Sequence, residues 1–225
     1  MPAVLSNVRI APSVFRMIVE APDVARYRKA GQFVIVRPAV GAERIPLTIA
    51  DADADAGTIT LVYQVVGKTT AQMSLIEDGG EMTDVAGPLG RATHIEKVGT
   101  VVCVGGGIGI APIHPIAQAM KAAGNTVIAV LGARTRDLFI MEDEMRRATD
   151  RVEIVTDDGT YGEKGFVTDA LKSLLDDDDI EVNEVVAIGP PIMMKMVSLL
   201  TKDYGVPTLV SLNTIMVDGT GMCGG

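Results

Sequence analysis

The chain has two parts that differ in the periodicity of their hydrophobic and polar residues. Over the first ~97 residues, short alternating runs rich in β-branched side chains are separated by Pro, Gly, Asn or Asp, which is typical of strands and turns. The predicted strands are residues 4–10, 14–20, 33–37, 47–50, 58–64 and 81–86, and one helical pattern covers residues 70–77. Six short strands with one helix predict a small antiparallel β-barrel over residues 1–97.

After Gly99 the pattern changes to apolar strands that alternate with amphipathic helices. The predicted strands are residues 100–104, 126–131, 152–156, 184–188 and 208–212, and the predicted helices are residues 113–123, 138–149, 165–175 and 192–202. Strict alternation of strand and helix indicates a parallel sheet with helices on both faces. Residues 98–212 are therefore predicted to form a doubly wound α/β domain with a five-stranded parallel sheet.

Composition narrows the classes of protein that need to be considered. A net charge of −9 argues against nucleic acid or an anionic membrane as a partner. The sequence shows no apolar run of the ~20 residues that span a bilayer, and no signal-peptide pattern. Two cysteines make no disulfide framework, so we expect a reducing, cytoplasmic location. Three of the twelve methionines, at positions 193, 194 and 196, are expected to fill the core or to form a partner interface.

The strongest chemical signal is the glycine-rich run that follows the first strand of the α/β half. Residues 101–112 read Val-Val-Cys-Val-Gly-Gly-Gly-Ile-Gly-Ile-Ala-Pro, and an apolar helical pattern comes directly after them. A strand, a glycine turn and a helix N-terminus together present backbone N–H groups to a phosphate. Gly105 and Gly107 fit a G-x-G motif, but the last glycine of the dinucleotide fingerprint would fall on Ile110. A tight turn in any α/β domain is the alternative.

Three segments of the first half carry further candidate chemistry. They are Arg44-Ile-Pro-Leu-Thr at a strand start, Gly67-Lys-Thr-Thr before a helix, and Gly87-Pro-Leu-Gly near the end of the barrel. The helix start can hold a phosphate, with the threonines capping and Lys68 adding charge. Each segment by itself is also explained by a hairpin turn, an N-cap or a loop corner, so only their order along the chain favours a function.

This order of motifs, completed by Ile188-Gly-Pro, resembles the ferredoxin–NADP reductase superfamily, whose members carry FAD on a β-barrel and a nicotinamide nucleotide on an α/β domain. The segment Thr156-Asp-Asp-Gly-Thr-Tyr-Gly and the tail from Ser211 are similar to one branch. That branch includes the alpha subunit of NADH-dependent ferredoxin–NADP oxidoreductase, the related sulfide dehydrogenase subunit and the electron-transfer subunit of dihydroorotate dehydrogenase. The tail and the segment from Arg44 look most like the first of these.

The resemblance implies the following binding residues, and no side chain acting as a general acid or base. For FAD they are Arg44, Pro46, Leu47, Thr48, Val65, Gly67, Lys68, Thr69 and Thr70. For the nicotinamide nucleotide they are Gly105, Gly106, Gly107, Gly109, Ala111, Pro112, Arg134, Asp157, Gly189 and Pro190. Flavin would carry the hydride chemistry.

The tail is expected to begin a [2Fe–2S] segment, residues 213–225, with Cys223 as a metal ligand. The branch supplies four cysteines to this cluster, whereas the sequence ends at Gly225, where the second would follow. We therefore expect a truncated cluster-binding tail here and a cluster in the full-length protein.

The nucleotide and the partner remain open at this stage. The second predicted α/β strand is followed by Arg134 and Arg136 with no acid before Asp137, which suits the 2′-phosphate of NADP, whereas the branch places NAD(H) on this subunit. We favour NAD(H). The implied partner is a larger flavoprotein or iron–sulfur subunit, with ferredoxin as a further candidate. The alternatives are an electron-transfer subunit serving dihydroorotate oxidation and a nucleotide-binding regulatory module without turnover.

Overall fold

The computed structural model describes residues 1–212 and Met216, and it divides them into two compact units, Met1–Thr93 and His94–Leu212. The sequence pattern places a boundary after residue 97, and the structure shows why the preceding residues belong to the second unit. Asn125 is buried there, and its side-chain oxygen accepts hydrogen bonds from the amides of Val98, at 2.7 Å, and Gly99, at 3.1 Å. Its amide nitrogen donates to the carbonyl oxygen of Glu96.

The first unit is a six-stranded antiparallel sheet with two short helices. The strands are β1 (Val4–Ala11), β2 (Val14–Glu20), β3 (Phe33–Arg37), β4 (Ile45–Asp53), β5 (Thr58–Gln64) and β6 (Asp84–Leu89), and the helices are α1 (Pro22–Tyr27) and α2 (Lys68–Met73). Their order in the sheet is β1-β2-β5-β4-β3-β6. Helix α1 is absent from the sequence prediction because six residues carry too little periodicity, although Pro22 sits in its first turn, where proline is tolerated.

The inward side chains of this sheet and of helix α2 form a single core that includes Met17, Val34, Leu61 and Met73. The sheet curls like a barrel, but β1 and β6 share no ladder among the described residues. An isolated bridge between Ala3 and Glu81 links the chain near these two edges. The predicted antiparallel barrel is thus confirmed as a barrel-like sheet that does not close.

The second unit is an all-parallel sheet of six strands with four helices. The strands are β7 (Thr100–Gly106), β8 (Thr126–Ala133), β9 (Arg151–Thr156), β10 (Glu163–Lys164), β11 (Val182–Ile188) and β12 (Thr208–Val210). The helices are α3 (Ile110–Ala122), α4 (Glu142–Ala148), α5 (Val167–Leu175) and α6 (Pro191–Asp203). The strand order is β10-β9-β8-β7-β11-β12. The sheet has one strand more than predicted, because the two-residue β10 is too short to leave a sequence pattern.

Helices cover both faces of this sheet. Alternate residues of β7, such as Val102 and Val104, pack with α5 and α6, while α3 packs across β7, β8 and β11 together with α4. The chain moves from β7 outward to β8 and β9, and then returns to place β11 on the other side of β7. Strands β7 and β11 therefore flank the topological switch point, where doubly wound sheets bind ligands beyond the carboxyl ends of the strands.

Several predicted boundaries shift for identifiable reasons. Strand β6 begins three residues later than predicted and contains Pro88, which an edge strand accommodates. The helix predicted over residues 138–149 is broken, because Met141 adopts a left-handed backbone conformation (φ 55°) and α4 begins only after it. The helix predicted from residue 113 begins at Ile110, so Pro115 lies inside α3 rather than in its first turn and removes one helical hydrogen bond. Among the helices of the described residues, none has the length and hydropathy needed to cross a membrane.

Cys103 tests the packing of β7. Its side chain is fully buried, and burial, with a smaller contribution from the charge of Glu184, raises the pKa of the thiol to about 12. Because the thiolate is the reactive form, we expect Cys103 to resist an aromatic disulfide reagent at pH 8 in a Cys223→Ser background. One thiol per chain should react once urea is added. Native reaction at the rate of free cysteine would contradict this account of the core.

Candidate functional site

The candidate nucleotide site lies at the carboxyl edge of the parallel sheet, where two glycine turns leave adjacent strands. Gly105 in β7 pairs in register with Ile188, the last residue of β11. The first turn continues through Gly107–Gly109 into α3, and the second runs through Gly189 and Pro190 into α6. Parallel strands bring both turns to the same edge, so the structure joins two predicted segments that lie about eighty residues apart in the sequence.

The two turns approach each other so closely that side chains do not fit between them. A Cβ on Gly109 would overlap the carbonyl oxygen of Ile188 and would lie 2.8 Å from the Cα of Gly189. A Cβ on Gly105 would lie 3.2 Å from the Cα of Ile110, which indicates close packing of strand against helix. These glycines are required by packing within the unit itself.

Gly107 differs from its neighbours in the same turn. Its φ of +56° lies in the left-handed region that favours glycine, and a Cβ added there would meet nothing within 4 Å. Ala111 and Pro112 follow in the first turn of α3, where backbone N–H groups have no partner within the helix. An open backbone surface beside the positive end of a thirteen-residue helix fits a phosphate group.

The other two predicted nucleotide residues lie next to each other along the same edge. Arg134 follows β8 and Asp157 follows β9, and both side chains are exposed. The backbone N–H of Asp157 donates to the carbonyl of Ala133 at 3.2 Å, and that of Asp158 donates to the carbonyl of Arg134 at 3.3 Å. A cation and an anion therefore stand side by side at the position where a doubly wound domain contacts the adenosine ribose.

The loop between β9 and β10, residues 157–162, lies next to this pair and is held by side-chain contacts. The Tyr161 hydroxyl donates to Glu142 at 2.7 Å, and the Arg136 guanidinium lies 4.5 Å from the centre of the tyrosine ring. Partial burial pushes the pKa of Glu142 upward, but hydrogen bonds from Tyr161 and Arg146 outweigh it and hold that pKa below its ordinary value. The Thr156 hydroxyl donates to the carbonyl of Tyr161 and accepts from its amide. The loop is therefore fixed by α4 and β9.

In the first unit, the predicted flavin residues of β4 lie on one strand beside β3. Pro46, Leu47 and Thr48 pair with Ile35, Val34 and Phe33 respectively. Pro46 is exposed, and the other two are half-buried. The strand thus keeps backbone and side-chain surface at one end of the sheet available to a ligand.

Arg44 precedes β4 and is not isolated. Its guanidinium lies 3.2 Å from the Asp84 carboxylate, which also contacts Arg37 at 2.6 Å. The three residues come from adjacent strands, because β3 lies between β4 and β6. Two cations share one anion, so the cluster keeps a net positive charge and fits a phosphate.

The second phosphate candidate is the loop from Val65 into α2. Gly67, exposed and with open space around it, precedes Lys68, whose side chain is also exposed. Thr69 and Thr70 are buried. The Thr70 hydroxyl accepts from the amides of Val66 and Gly67, both at 3.1 Å, and donates to the Gly67 carbonyl. Thr70 therefore shapes the loop, and its role as a phosphate ligand stays a prediction.

A half-buried asparagine fixes the far end of α2. The Asn7 amide nitrogen donates to the carbonyls of Met73 and Ile76, and its oxygen accepts from the Tyr63 hydroxyl at 3.1 Å. Burial outweighs this hydrogen bond and raises the pKa of Tyr63 to about 12, so the phenol stays protonated as a donor. This network, anchored in β1 and β5, holds the loop and helix that carry Lys68.

The predicted metal ligand Cys223 lies outside the described residues. Within the part of the chain that the structure describes, no three His, Cys, Asp or Glu side chains group as a metal site. Sequence reasoning missed Asp84, the link between Glu142 and Tyr161, and Met193, which contacts both glycine turns. Of these residues, only Tyr161 had a signal in the sequence, because it falls in the segment from Thr156 to Gly162 that resembles the family. The others are partners across strands or helices, which leave no local sequence pattern.

A nucleotide-binding oxidoreductase is the class that this fold and site define. Residues 103–199 match the model of the oxidoreductase NAD-binding domain family. The chain is 48% identical over 221 residues to a dihydroorotate dehydrogenase B electron transfer subunit homolog of Thermotoga maritima, covering 98% of this chain and 77% of the relative. It is 34% identical to the corresponding electron transfer subunit of Fusobacterium nucleatum, covering 96% and 84%.

A solved structure of NADH-dependent reduced ferredoxin–NADP oxidoreductase superposes with a TM-score of 0.93 at 46% identity, covering 100% of this chain and 80% of that one. The chain therefore belongs to the dihydroorotate dehydrogenase B electron-transfer-subunit family, within the ferredoxin reductase-like superfamily. This confirms the superfamily inferred from the order of motifs.

Gly109→Ala tests the contact between the glycine turns. The backbone at Gly109 (φ −63°, ψ −13°) suits alanine, so only the collision with Ile188 should matter. We expect a loss of about 2 kcal/mol or more in the free energy of unfolding, measured in urea on flavin-free protein. Gly67→Ala, at an extended position with open space, serves as the control and should stay within about 0.5 kcal/mol. Equal effects would contradict the packing argument.

Proposed function

We propose that the chain is the FAD-containing electron-transfer subunit of an NAD(H)-dependent oxidoreductase. The observation that carries the proposal is the pair of glycine turns at the switch point of the doubly wound sheet. In the same chain this sheet follows a barrel-like sheet that carries a cationic cluster around Arg44. The relatives named as electron transfer subunits, and the structure named as NADH-dependent, support the same assignment.

FAD held by the residues named below would supply the hydride chemistry: NADH would give up two electrons and one proton as a hydride and leave as NAD⁺, and the electrons could then leave singly. The protein's own contribution is to bind and orient. Gly107 and the first turn of α3 receive the nucleotide phosphates, and Arg44 and Lys68 neutralise the flavin phosphates. No side chain of the chain needs to transfer a proton in this step.

The arrangement around Arg136 supports NAD(H) over NADP(H). Arg136 lies over the ring of Tyr161, and this cation–π contact orients its guanidinium toward the loop. Arg134 and Arg136 are both exposed, but the carboxylate of Asp157, which follows the neighbouring strand β9, disfavours a 2′-phosphate and offers an acceptor for a ribose hydroxyl. We therefore assign NAD(H) as the nucleotide.

The acceptor of the electrons is a partner subunit, as the names of the relatives indicate. A larger flavoprotein or iron–sulfur subunit is the partner we propose, and dihydroorotate oxidation is the second candidate for its chemistry because two relatives carry that name. The two cysteines of this sequence, one of them buried in β7, do not supply the four thiolates of a [2Fe–2S] cluster.

Anaerobic reduction of the purified chain tests the function. We expect flavin absorbance, reconstituted with FAD if necessary, to be bleached by NADH, and more slowly by NADPH at equal concentration. Stopped-flow absorbance measures both rates. A chain that binds NADH without bleaching bound flavin would instead be a nucleotide-binding module without turnover, and faster reduction by NADPH would reverse the nucleotide assignment.

Arg44→Gln tests the flavin surface. Loss of a charge-assisted contact to a phosphate should weaken FAD binding by about tenfold, and the wild-type affinity should fall with added salt. Quenching of FAD fluorescence measures both. Arg147→Gln removes an exposed arginine from α4 and provides the control, with unchanged affinity. Equal FAD affinity in the two variants would remove Arg44 from the site.

A further inference from the structure

Met193 fills the space that the two glycine turns leave free. It lies in the first turn of α6, and its side chain is half-buried. A Cβ on Gly106 would overlap the Met193 sulfur, and a Cβ on Gly189 would lie 2.9 Å from that sulfur and 2.7 Å from the methionine methyl group. One thioether therefore contacts both turns at the switch point.

The backbone conformation does not explain the glycine at position 106. Its φ of −118° and ψ of 122° are ordinary extended values that any residue adopts. A Cβ at this position would meet the Met193 sulfur, which is near the end of a flexible side chain, and would lie 3.2 Å from the Pro190 ring, so alanine fits there only if Met193 shifts. The methionine and the two glycines thus form one packing unit, in which each depends on the size of the others.

We propose that Met193 is a positioning residue for the nicotinamide half of the nucleotide. Its thioether packs against both the Gly106 and Gly189 turns, to which the function proposed above assigns the nicotinamide nucleotide. This inference rests on the function proposed above, because it assigns a role within the same site. The unbranched, polarizable thioether suits the task, since it packs closely against backbone atoms and remains compatible with an aromatic ring.

The neighbouring methionines of α6 provide the contrast. Met194 is buried in the core, whereas Met196 is 47% exposed. The same residue type therefore serves three environments within four positions of one helix. Met196 is the matched control for Met193, because it lies on the same helix and makes no contact with the glycine turns.

The experiment compares Met193→Ala, Met193→Leu and Met196→Ala by stopped-flow reduction of the bound flavin. A misplacement on the order of 1 Å is costly for hydride transfer, so Met193→Ala should lower the limiting rate with NADH by about tenfold or more. The same loss is expected with reduced nicotinamide mononucleotide, which lacks the adenosine half. Met193→Leu, of similar volume, should stay within about threefold, and Met196→Ala should match the wild type.

Binding of ADP-ribose, which lacks nicotinamide, separates positioning from general damage. Calorimetry should give affinities for the wild type and Met193→Ala that agree within about twofold, since the adenosine and phosphate contacts remain. A parallel loss of ADP-ribose binding would make Met193 a purely structural residue and overturn the proposal. Rates for Met193→Ala equal to those for Met196→Ala would also overturn it. A wild type that NADH does not reduce would defeat the proposed function itself.

A double variant checks the packing unit without any cofactor. Gly106→Ala should lower the urea midpoint of flavin-free protein, and Gly106→Ala combined with Met193→Ala should recover part of that loss, because the second change removes the sulfur that the new methyl group would meet. Strictly additive effects of the two changes would show that Met193 does not occupy the space beside Gly106.

Discussion

The second unit depends on one steric constraint, which is the approach of two backbone turns at the carboxyl ends of β7 and β11. Register pairing of Gly105 with Ile188 brings the strand ends level, and the turns that follow meet at Gly109, where no side chain fits. The carbonyl oxygen of Ile188 limits position 109, and the Met193 thioether limits positions 106 and 189. The glycines serve first to let the sheet and its helices meet, and only Gly107 presents open backbone to a ligand.

In the first unit, ion pairs and hydrogen bonds hold the loops and the short helix α2 in place. Asp84 joins Arg37 and Arg44 across three strands, and Thr70 ties together the loop that leads into α2. Asn7 and Tyr63 then hold the other end of that short helix against β1 and β5. A six-residue helix is marginal by propensity alone, so its position relies on these tertiary contacts. These contacts therefore hold the predicted flavin-binding loop in place although its elements are short.

The sequence predicted the order of elements well, because it depends on periodicity. All the long strands and helices of the α/β half were found, and the glycine run at residues 105–109 ends β7 and leads into α3, as predicted. Elements of two to six residues, such as β10 and α1, were missed because periodicity needs length. Partners across strands, such as Asp84 for Arg44, were missed because register is a tertiary property.

Arg134 and Arg136 show why residue spacing alone leaves the nucleotide preference open. Two residues apart, they appear as one basic cluster suited to a 2′-phosphate, but the fold separates their environments. Arg136 lies over Tyr161 near Glu142, whereas Arg134 stays exposed beside the β9 end. Glu142 lies in the helix before β9 and Tyr161 in the loop after it, so no local sequence pattern indicates their contact. Charge counts along a sequence predict a ligand only when the fold leaves those charges uncompensated.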